Sequence, residues 1–291
     1  MIKFLLISLL CIFPQIITAQ TKLSDWAVEA ESKESKVSLT SDGSIDIIAP
    51  KGLTIWYKRQ MQGNVIIEYD AQIVVEEHNN NTWNRLSDLN CFWQATDPKQ
   101  KDGSVLRGIP KRKGIFANQY ALSLYYMGYG GNYNSTTRFR RYNGDENGVK
   151  DPSFRPAILR EYTDPGHILK PNHWYHIRLE QHFGHVRYII DGECIVDYLD
   201  IRPFYRGYFG FRTTLAHAQI RNFIYSETPI SGTPVSLHWV GKKPNSSASP
   251  QTFGIPFLQG EVLPSQSILL QTDNGKQIPD HWKKCVDIVV Q

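Results

Sequence analysis

Hydrophobic residues in this chain alternate with polar residues over short stretches, which are separated by glycine, asparagine and proline. A period of two places successive side chains on opposite faces, as in half-buried β-strands. No stretch has a long helical period with capping residues. The pattern predicts nine strands, over residues 44–49, 54–58, 64–75, 120–127, 136–142, 174–181, 186–190, 208–213 and 219–225.

Tight turns join several of these strands. Residues 173–180 alternate apolar and polar side chains, residues 182–185 turn the chain, and residues 186–190 return beside them. A turn at Asp191-Gly192 then leads into a further strand over residues 194–197. Many short strands joined by such turns are typical of two packed antiparallel sheets. We therefore predict an all-β jelly-roll sandwich.

The N-terminal residues have the composition of an export signal. Lys3 precedes an apolar run over residues 4–13, which is too short to span a bilayer, and Ala19 is a small residue suited to cleavage. We predict a signal peptide over residues 1–19 and a mature protein that is periplasmic or extracellular, with no membrane span. The length of the apolar run disfavours the alternative of a membrane anchor.

The composition is that of an ordinary globular protein. Of the 291 residues, 41% are hydrophobic and 21% are charged, which excludes a disordered chain. The net charge of +4 is too small to indicate nucleic-acid binding. The sequence has no phosphate loop, dinucleotide fingerprint or zinc motif, so we predict no cofactor and no metal.

The chain is predicted to divide after residue 228. The sandwich occupies residues 20–228, a linker containing proline and glycine occupies residues 229–234, and a short β segment occupies residues 235–291. A segment of about sixty residues is marginal as an independent domain. We expect it to be incompletely packed.

Three cysteines remain after removal of the leader: Cys91, Cys194 and Cys285. An odd number leaves at least one thiol unpaired in an exported protein. Cys91 and Cys194 lie in apolar, strand-like runs, which favours buried free thiols. A Cys91–Cys194 disulfide remains as the alternative.

A run of tyrosine, glycine and asparagine over residues 125–134 is a candidate binding site. Glycine lets a ligand approach the backbone, tyrosine rings stack on sugars, and asparagine amides bind hydroxyl groups. From this run we select Tyr129, Asn132 and Asn134 as substrate-binding residues. A Gly/Asn turn with tyrosines in the core is the equally supported alternative.

Arg138 and Arg140 share one face of a predicted strand. Two arginines on one face repel each other unless an anion or an acidic side chain lies between them. A guanidinium group fits the carboxylate of a uronic acid, so both residues are predicted to bind an acidic glycan. The alternative is a strand whose arginines form salt bridges with Asp or Glu.

Asp88, Asn90 and Trp93 lie on another strand-like run and complete the predicted binding residues. Asp88 and Asn90 share a face by parity. We place all three on the concave face of the sandwich, where polar groups and a tryptophan ring suit a saccharide.

Arg212, His217 and Tyr125 are the candidate catalytic residues. A uronate lyase needs a group that neutralises the carboxylate and a base that removes a proton. Arg212 or Arg138 supplies the first role, and His217 or Tyr125 the second. A structural histidine, hydrogen-bonded within the sandwich, is the alternative for His217.

The turn-strand pattern Asn172 to Arg178, then Asp191-Gly192, then Gly207 to Arg212 resembles the closing half of a concanavalin A-like lectin/glucanase domain. That resemblance implies two packed antiparallel sheets with glycans bound on the concave face. The 3-keto-disaccharide hydrolases have a similar layout. Over residues 26–226, four stretches are similar to a family of exported bacterial proteins of unknown function. They are residues 85–93, 125–132, 136–142 and 211–217.

The C-terminal residues carry a second resemblance. His238 to Gly241, Phe253 to Phe257 and Asp273 to Pro279 are similar to the first strands of the N-terminal β-barrel of exo-rhamnogalacturonan-lyase-like proteins. In those proteins the barrel is longer and a catalytic domain follows it. The resemblance implies that this chain is the N-terminal part of a longer enzyme.

The sequence therefore favours an exported glycan-recognising sandwich that acts in polysaccharide degradation, on acidic glycans and with a poly- or oligosaccharide as partner. Two alternatives stay open. One is a polysaccharide lyase or 3-keto-glycoside hydrolase acting within the sandwich. The other is a non-catalytic spacer of a larger lyase. The sugar, the linkage and the oligomeric state are not specified by the sequence.

Overall fold

A computed structural model describes the backbone of residues 15–17 and the whole of residues 22–228. The rest of the predicted leader, the linker and the C-terminal segment lie outside the described residues. Within them the chain forms strands β1 Gln15–Ile17, β2 Trp26–Ala30, β3 Lys36–Leu39, β4 Ile45–Ala49, β5 Leu53–Tyr57, β6 Met61–Gln62, β7 Asn64–Val74, β8 Leu89–Thr96, β9 Ser123–Gly130, β10 Thr136–Asn143, β11 Arg160–Tyr162, β12 Tyr175–His182, β13 His185–Ile190, β14 Glu193–Leu199, β15 Arg206–Thr213 and β16 Ala216–Thr228.

The helical elements among these residues are short, with three to six residues each. The α-helical turns are α1 Ile109–Arg112, α2 Gly131–Asn134 and α3 Asn147–Lys150. The 3-10 turns are Leu23–Asp25, Leu106–Gly108, Phe116–Ala121, Pro152–Phe154 and Pro165–His167. Over the described part of the chain, no helix has the length and hydrophobicity needed to cross a membrane.

The strands form two antiparallel sheets. Sheet A has the order β14, β13, β12, β7, β16, β4, β3, and β1 pairs with β16 beside this path. Sheet B has the order β11, β10, β9, β8, β15, β5, β2, and β6 pairs with β15. Strands far apart in sequence are neighbours, as β7 and β16 are in sheet A and β8 and β15 are in sheet B. These pairings form a jelly-roll sandwich, so the predicted fold class is confirmed.

Inward-facing side chains fill the space between the sheets. Along β7 the alternate residues are buried in this core, namely Val65, Ile67, Tyr69, Ala71 and Ile73. The residues between them point outward, and the carboxylate of Asp70 lies 2.9 Å from Nδ1 of His176 on β12. The period of two that predicts the strand also predicts which side chains enter the core.

A second apolar layer lies on the outer face of sheet B. Trp56 and Phe92 stack there with ring centroids 5.6 Å apart. Gly210, on the strand between them, leaves the room they need, because a side chain there would lie 2.7 Å from the Trp56 ring. Tyr120 and Leu122 pack against the same layer. The long segment over residues 97–122 therefore covers part of sheet B, and we call it the covering segment.

All nine predicted strands are present, with shifted ends. The strand predicted over residues 120–127 begins only at Ser123, because Phe116–Ala121 forms a 3-10 turn. The pattern did not predict β2 and β3. In β2 the buried Glu29 interrupts the apolar pattern, and in β3 no residue is buried.

Cys91 and Cys194 are both free thiols, so the disulfide alternative is wrong. Cys91 lies on β8 of sheet B and faces the core, where burial raises the pKa of its thiol to about 12. Cys194 lies on β14 at the edge of sheet A and is exposed, so the expectation of a buried thiol is wrong there. The two thiols are on different sheets.

Candidate functional site

A continuous row of mainly polar residues crosses the outer face of sheet B. Each member is the register partner of the next one, from β11 to β2. Neighbours along the strands, such as Cys91, Phe139 and Phe211, belong to the core, so the row points away from it. Opposed side chains on antiparallel strands are about 5 Å apart, which makes the row one connected surface. This polar row consists of Glu161, Arg138, Gly128, Asn90, Arg212, Thr54 and Glu29.

Glu29 anchors the buried end of the polar row. Its carboxylate accepts hydrogen bonds from Trp56 Nε1 at 2.9 Å, Arg112 Nη2 at 2.7 Å, Gln119 Nε2 at 2.7 Å and the Gly114 backbone N–H at 3.2 Å. Three of these donors belong to the covering segment. A buried carboxylate is stable only when it is paired and hydrogen-bonded in this way. Glu29 therefore fixes the covering segment on sheet B.

Arg212, near the middle of the row, carries a buried positive charge. It is 2% exposed and donates to Thr54 Oγ1 at 3.1 Å and to the Gly114 carbonyl at 2.9 Å. Its guanidinium carbon lies 5.2 Å from the centroid of the Phe116 ring. Burial lowers the pKa of Arg212, but arginine stays protonated in proteins. Among the described residues, no carboxylate forms an ion pair with this guanidinium.

Gly128 leaves a gap in the row that the phenol of Tyr126 fills, because a side chain at Gly128 would clash with its hydroxyl. Burial raises the pKa of Tyr126, and the charge of Asp88 raises it further, so the hydroxyl stays protonated at neutral pH. Beside it, Asn90 Nδ2 donates to Asp88 Oδ1 at 3.2 Å. Asn90 Oδ1 is buried without a hydrogen-bond partner among the described residues. This part of the row therefore contains a hydrogen-bond acceptor, Asn90 Oδ1, that no described residue uses.

The exposed end of the row carries an ion pair. Arg138 Nε lies 2.6 Å from Glu161 Oε1, and both side chains are about one third exposed. The salt-bridge alternative is therefore correct for Arg138. Arg140 instead donates to the Pro156 carbonyl and forms no ion pair with a carboxylate of the described region. Arg140 is also the register partner of Tyr126, which places it beside the gap.

The hairpin between β9 and β10 ends in an unusual turn. Gly130 has φ +64°, and the next positive angles are +52° at Asn132, +58° at Tyr133 and +58° at Asn134. Asn134 uses its amide internally, since Nδ2 donates to the Leu169 carbonyl at 2.9 Å and Oδ1 accepts from the Leu169 N–H at 2.8 Å. Asn132 is exposed. Of the two asparagines predicted to bind ligand in this hairpin, Asn132 and Asn134, only Asn132 has a side chain free to contact a ligand.

Three predicted site residues lie in the core instead of on a surface. Trp93, Tyr125 and Tyr129 are each no more than 3% exposed. Strand parity explains the correction, because Asn90 and Gly128 face outward and the residues at odd offsets from them face inward. The Tyr125 hydroxyl is held by Asp200 Oδ2 at 2.7 Å and by the Phe204 N–H at 3.1 Å. These rings support the fold and do not line a groove.

His217 lies on the other sheet. It is on β16 of sheet A, where its Nε2 is 2.7 Å from Asp46 Oδ1. Its ring packs edge-to-face with Trp83, with the ring centroids 5.9 Å apart. Arg212 is on the outer face of sheet B, and Tyr125 is between the sheets. The three predicted catalytic side chains therefore point to three different places and form no common site.

The structure adds residues to the site that the sequence pattern did not select. Tyr126 could have been selected from the sequence, because it is two residues from Gly128 and alternation places both on the same strand face. Arg85 gave no sequence signal, and its Nη2 lies 2.6 Å from Asp88 Oδ2. Over the described range, no group of three or more His, Cys, Asp or Glu side chains is arranged to hold a metal ion.

The sequence matches the model of a family described as a domain of unknown function (DUF6250) over residues 47–223, which is more than half of the chain. The chain belongs to this family. The DUF6250 match runs from β4 into β16 and contains every member of the polar row except Glu29. A second model, the PcRGLX-like N-terminal RIFT barrel domain, matches residues 233–285 of this DUF6250 protein. Both resemblances seen in the sequence are thereby confirmed.

Several solved structures are similar to this DUF6250 domain. A Bacillus subtilis protein of unknown function with a galectin-like fold aligns with TM-score 0.52 and 16% identity, covering 75% of this chain and 96% of that one. The carbohydrate-binding module CBM66 of Bacillus subtilis aligns with TM-score 0.46 and 15% identity, covering 70% and 96%. The VIP36 exoplasmic/lumenal domain aligns with TM-score 0.47 and 14% identity, covering 73% and 88%. The first likeness shows a lectin-like sandwich. No curated protein matches in sequence.

Proposed function

We propose that this protein recognises acidic, uronate-containing glycans through the outer face of sheet B, as an exported component of polysaccharide degradation. The polar row is the observation that carries the proposal. Its exposed end presents the Arg138 guanidinium, and beside it the buried Asn90 and Tyr126, 2% and 7% exposed, carry groups of the kind that bind sugar hydroxyls. The buried Oδ1 of Asn90 has no partner within the described residues, which leaves a hydrogen-bond acceptor next to this end of the row.

The charge of this surface favours an acidic sugar over a neutral one. From β11 to β15, arginines in and beside the row outnumber carboxylates, with Arg85, Arg138, Arg140 and the buried Arg212 against Asp88 and Glu161. Neither Arg140 nor Arg212 forms an ion pair with a carboxylate of the described region. A planar guanidinium binds a carboxylate through two parallel hydrogen bonds. The carboxylate of a uronic acid fits beside Arg138 and Arg140.

The geometry supports binding more than catalysis. A phenol acts as a base only when its pKa falls toward neutrality, and burial raises the pKa of both Tyr125 and Tyr126. Both hydroxyls are therefore hydrogen-bonding groups at neutral pH. His217, the other candidate base, lies on the opposite sheet. No observation favours the lyase or the 3-keto-glycoside hydrolase alternative.

Export and a role in degradation are supported by the sequence. The leader composition of residues 1–19 motivates export, and N-terminal sequencing of the secreted protein should find Gln20 first. A mature protein that retains residues 1–19 would contradict it. The match of residues 233–285 to the PcRGLX-like N-terminal RIFT barrel domain, together with the resemblance of these residues to exo-rhamnogalacturonan-lyase-like proteins, motivates the link to degradation.

Binding to polygalacturonate tests the proposed function directly. The mature chain should bind this polymer and bind its fully methyl-esterified form much more weakly, because esterification removes the carboxylate. Arg138→Ala should weaken binding about tenfold or more, since charge-assisted hydrogen bonds contribute roughly 1.5–3 kcal/mol. Affinity gel electrophoresis or calorimetry at low and high salt gives the measurement.

A matched control separates the site from general charge loss. Arg187 on β13 of sheet A is 38% exposed and lies 3.0 Å from Asp197 Oδ2, much as Arg138 is 34% exposed and pairs with Glu161. Arg187→Ala removes the same charge from the opposite sheet and should leave binding unchanged. Equal losses in both variants, or no binding of any uronate polymer, would contradict the proposal.

A further inference from the structure

Tyr133 stands apart from every other tyrosine of the chain. All 15 tyrosines lie within residues 22–228, and Tyr133 is the one whose residue is exposed. It is 74% exposed, at the tip of the hairpin between β9 and β10. Burial of the ring therefore does not explain why an aromatic residue occupies this position.

The backbone of Tyr133 is strained. Its φ is +58°, and its neighbours Asn132 and Asn134 are also left-handed. Asparagine and glycine adopt this conformation readily, whereas a bulky residue does so at a cost. The bonds from Asn134 to Leu169 and from the Ser135 N–H to the Gly131 carbonyl at 3.0 Å hold the turn closed. A strained, exposed aromatic side chain at a loop tip is more typical of binding than of folding.

Arg85 fixes the orientation of the ring. Its guanidinium carbon lies 4.7 Å from the centroid of Tyr133. Arg85 is itself held, because Nη2 is bonded to Asp88 Oδ2 at 2.6 Å and to the Thr214 carbonyl at 2.9 Å. With Arg85 over the ring and 74% of the residue exposed, the opposite face of the ring is open to solvent.

The ring is connected to the polar row. The contacts run from Tyr133 to Arg85, from Arg85 to Asp88, and from Asp88 Oδ1 to Asn90 Nδ2 at 3.2 Å. We propose that Tyr133 is the stacking platform for a sugar ring of the glycan bound at the polar row, an inference that rests on the proposed function. The C–H groups on one face of a pyranose suit the open face of a phenol ring, and Arg85 supports the other face.

The first test compares Tyr133→Ala with Tyr133→Trp in the mature chain, with polygalacturonate and its oligomers as probes. The alanine variant should bind about three- to tenfold more weakly, the range expected for an aromatic contact. The tryptophan variant should keep or exceed wild-type affinity. Phe154→Ala is a matched control, because Phe154 is also an exposed aromatic residue of a turn, at 52%, and should bind as wild type does.

A second test distinguishes a binding role from a structural one. Tyr133→Gly relieves the strained backbone, so its Tm should equal or exceed that of the wild type while its affinity falls as in the alanine variant. A lower Tm with unchanged affinity would make Tyr133 a structural residue and overturn the platform. Wild-type affinity in Tyr133→Ala would overturn the platform alone. A wild-type protein that binds no uronate glycan would overturn the proposed function, and the platform with it.

Discussion

Single buried charges decide how the outer face of sheet B is built. Glu29 and Arg212 sit in the same row of the sheet, and both contact Gly114 of the covering segment, Glu29 at its N–H and Arg212 at its carbonyl. Burying each charge costs free energy unless hydrogen bonds satisfy it. The covering segment supplies those bonds, so the two residues bind the segment to the sheet and complete the buried end of the site.

Glu29→Gln should destabilise the fold strongly. Glutamine has nearly the same shape, but its amide nitrogen would face donors such as Arg112 and Gln119. Arg112 would lose its closer carboxylate partner, at 2.7 Å, and keep only Asp97 at 3.7 Å. We expect a loss of about 3–5 kcal/mol in the free energy of unfolding, as for other broken buried ion pairs. Urea denaturation of the variant gives the measurement.

Glu34→Gln is the control for this prediction, because Glu34 is exposed and its carboxylate has no ion pair among the described residues. It should leave the free energy of unfolding within about 0.5 kcal/mol of the wild type. A loss below about 1 kcal/mol for Glu29→Gln would show that the four hydrogen bonds of Glu29 contribute little to stability.

At the scale of strands, parity was the most informative property of the sequence. It placed Arg138 and Arg140 on one face of β10, as the structure has them. Asp88 lies just before β8 with φ +65°, so the predicted strand face does not include it, although its Oδ1 accepts a hydrogen bond from Asn90 Nδ2 at 3.2 Å. Parity alone does not say which face is the core. For this reason Trp93 was expected on the surface. It packs in the core instead, where its ring centroid lies 5.6 Å from that of Tyr125.

The covering segment shows where strand patterns carry no information. Residues 97–119 have no alternation, yet this segment, together with Tyr120 and Leu122 that follow it, packs on the second apolar layer. Their partners Trp56 and Phe92 come from two strands that are far apart in sequence and are both neighbours of β15. No local pattern contains that neighbourhood, so the second layer could not be predicted from the sequence.

On the scale of the whole molecule, the two outer faces differ. The outer face of sheet A is solvated and its charges pair across strands, as Arg187 does with Asp197 at 3.0 Å. The outer face of sheet B is partly covered by residues 97–122, and its Arg140 and Arg212 form no ion pair with a carboxylate of the described residues. This asymmetry makes sheet B the better candidate for binding, and it separates His217 from Arg212.

The many buried tyrosines predict an alkaline limit to stability. Burial raises the pKa of Tyr69, Tyr125, Tyr126, Tyr142 and Tyr188 well above the ordinary value near 10. The unfolded chain therefore releases these protons first, so the stabilisation is complete below pH 10 and is lost as the pH rises beyond it. Each such tyrosine lowers the free energy of unfolding by about 1.4 kcal/mol per pH unit in that range.

Thermal unfolding from about pH 8 to about pH 11, with tyrosinate absorbance followed in parallel, measures this effect. The Tm should hold steady up to about pH 10 and then fall, and most tyrosinate should form only as the protein unfolds. Ionisation of most tyrosines near pH 10 in a protein that stays folded would contradict the burial described here.

The sequence by itself determined the fold class, most of the strands and the faces that side chains share, because these depend on the period of two between near neighbours. It also carried both family resemblances. The tertiary structure decided which residues meet. The polar row draws one residue from each of seven strands, and its order follows from strand pairing across the jelly roll. Long-range pairing likewise brought Asn90 beside Gly128 and put His217 on the opposite sheet from Arg212, because burial and register depend on contacts between distant parts of the chain.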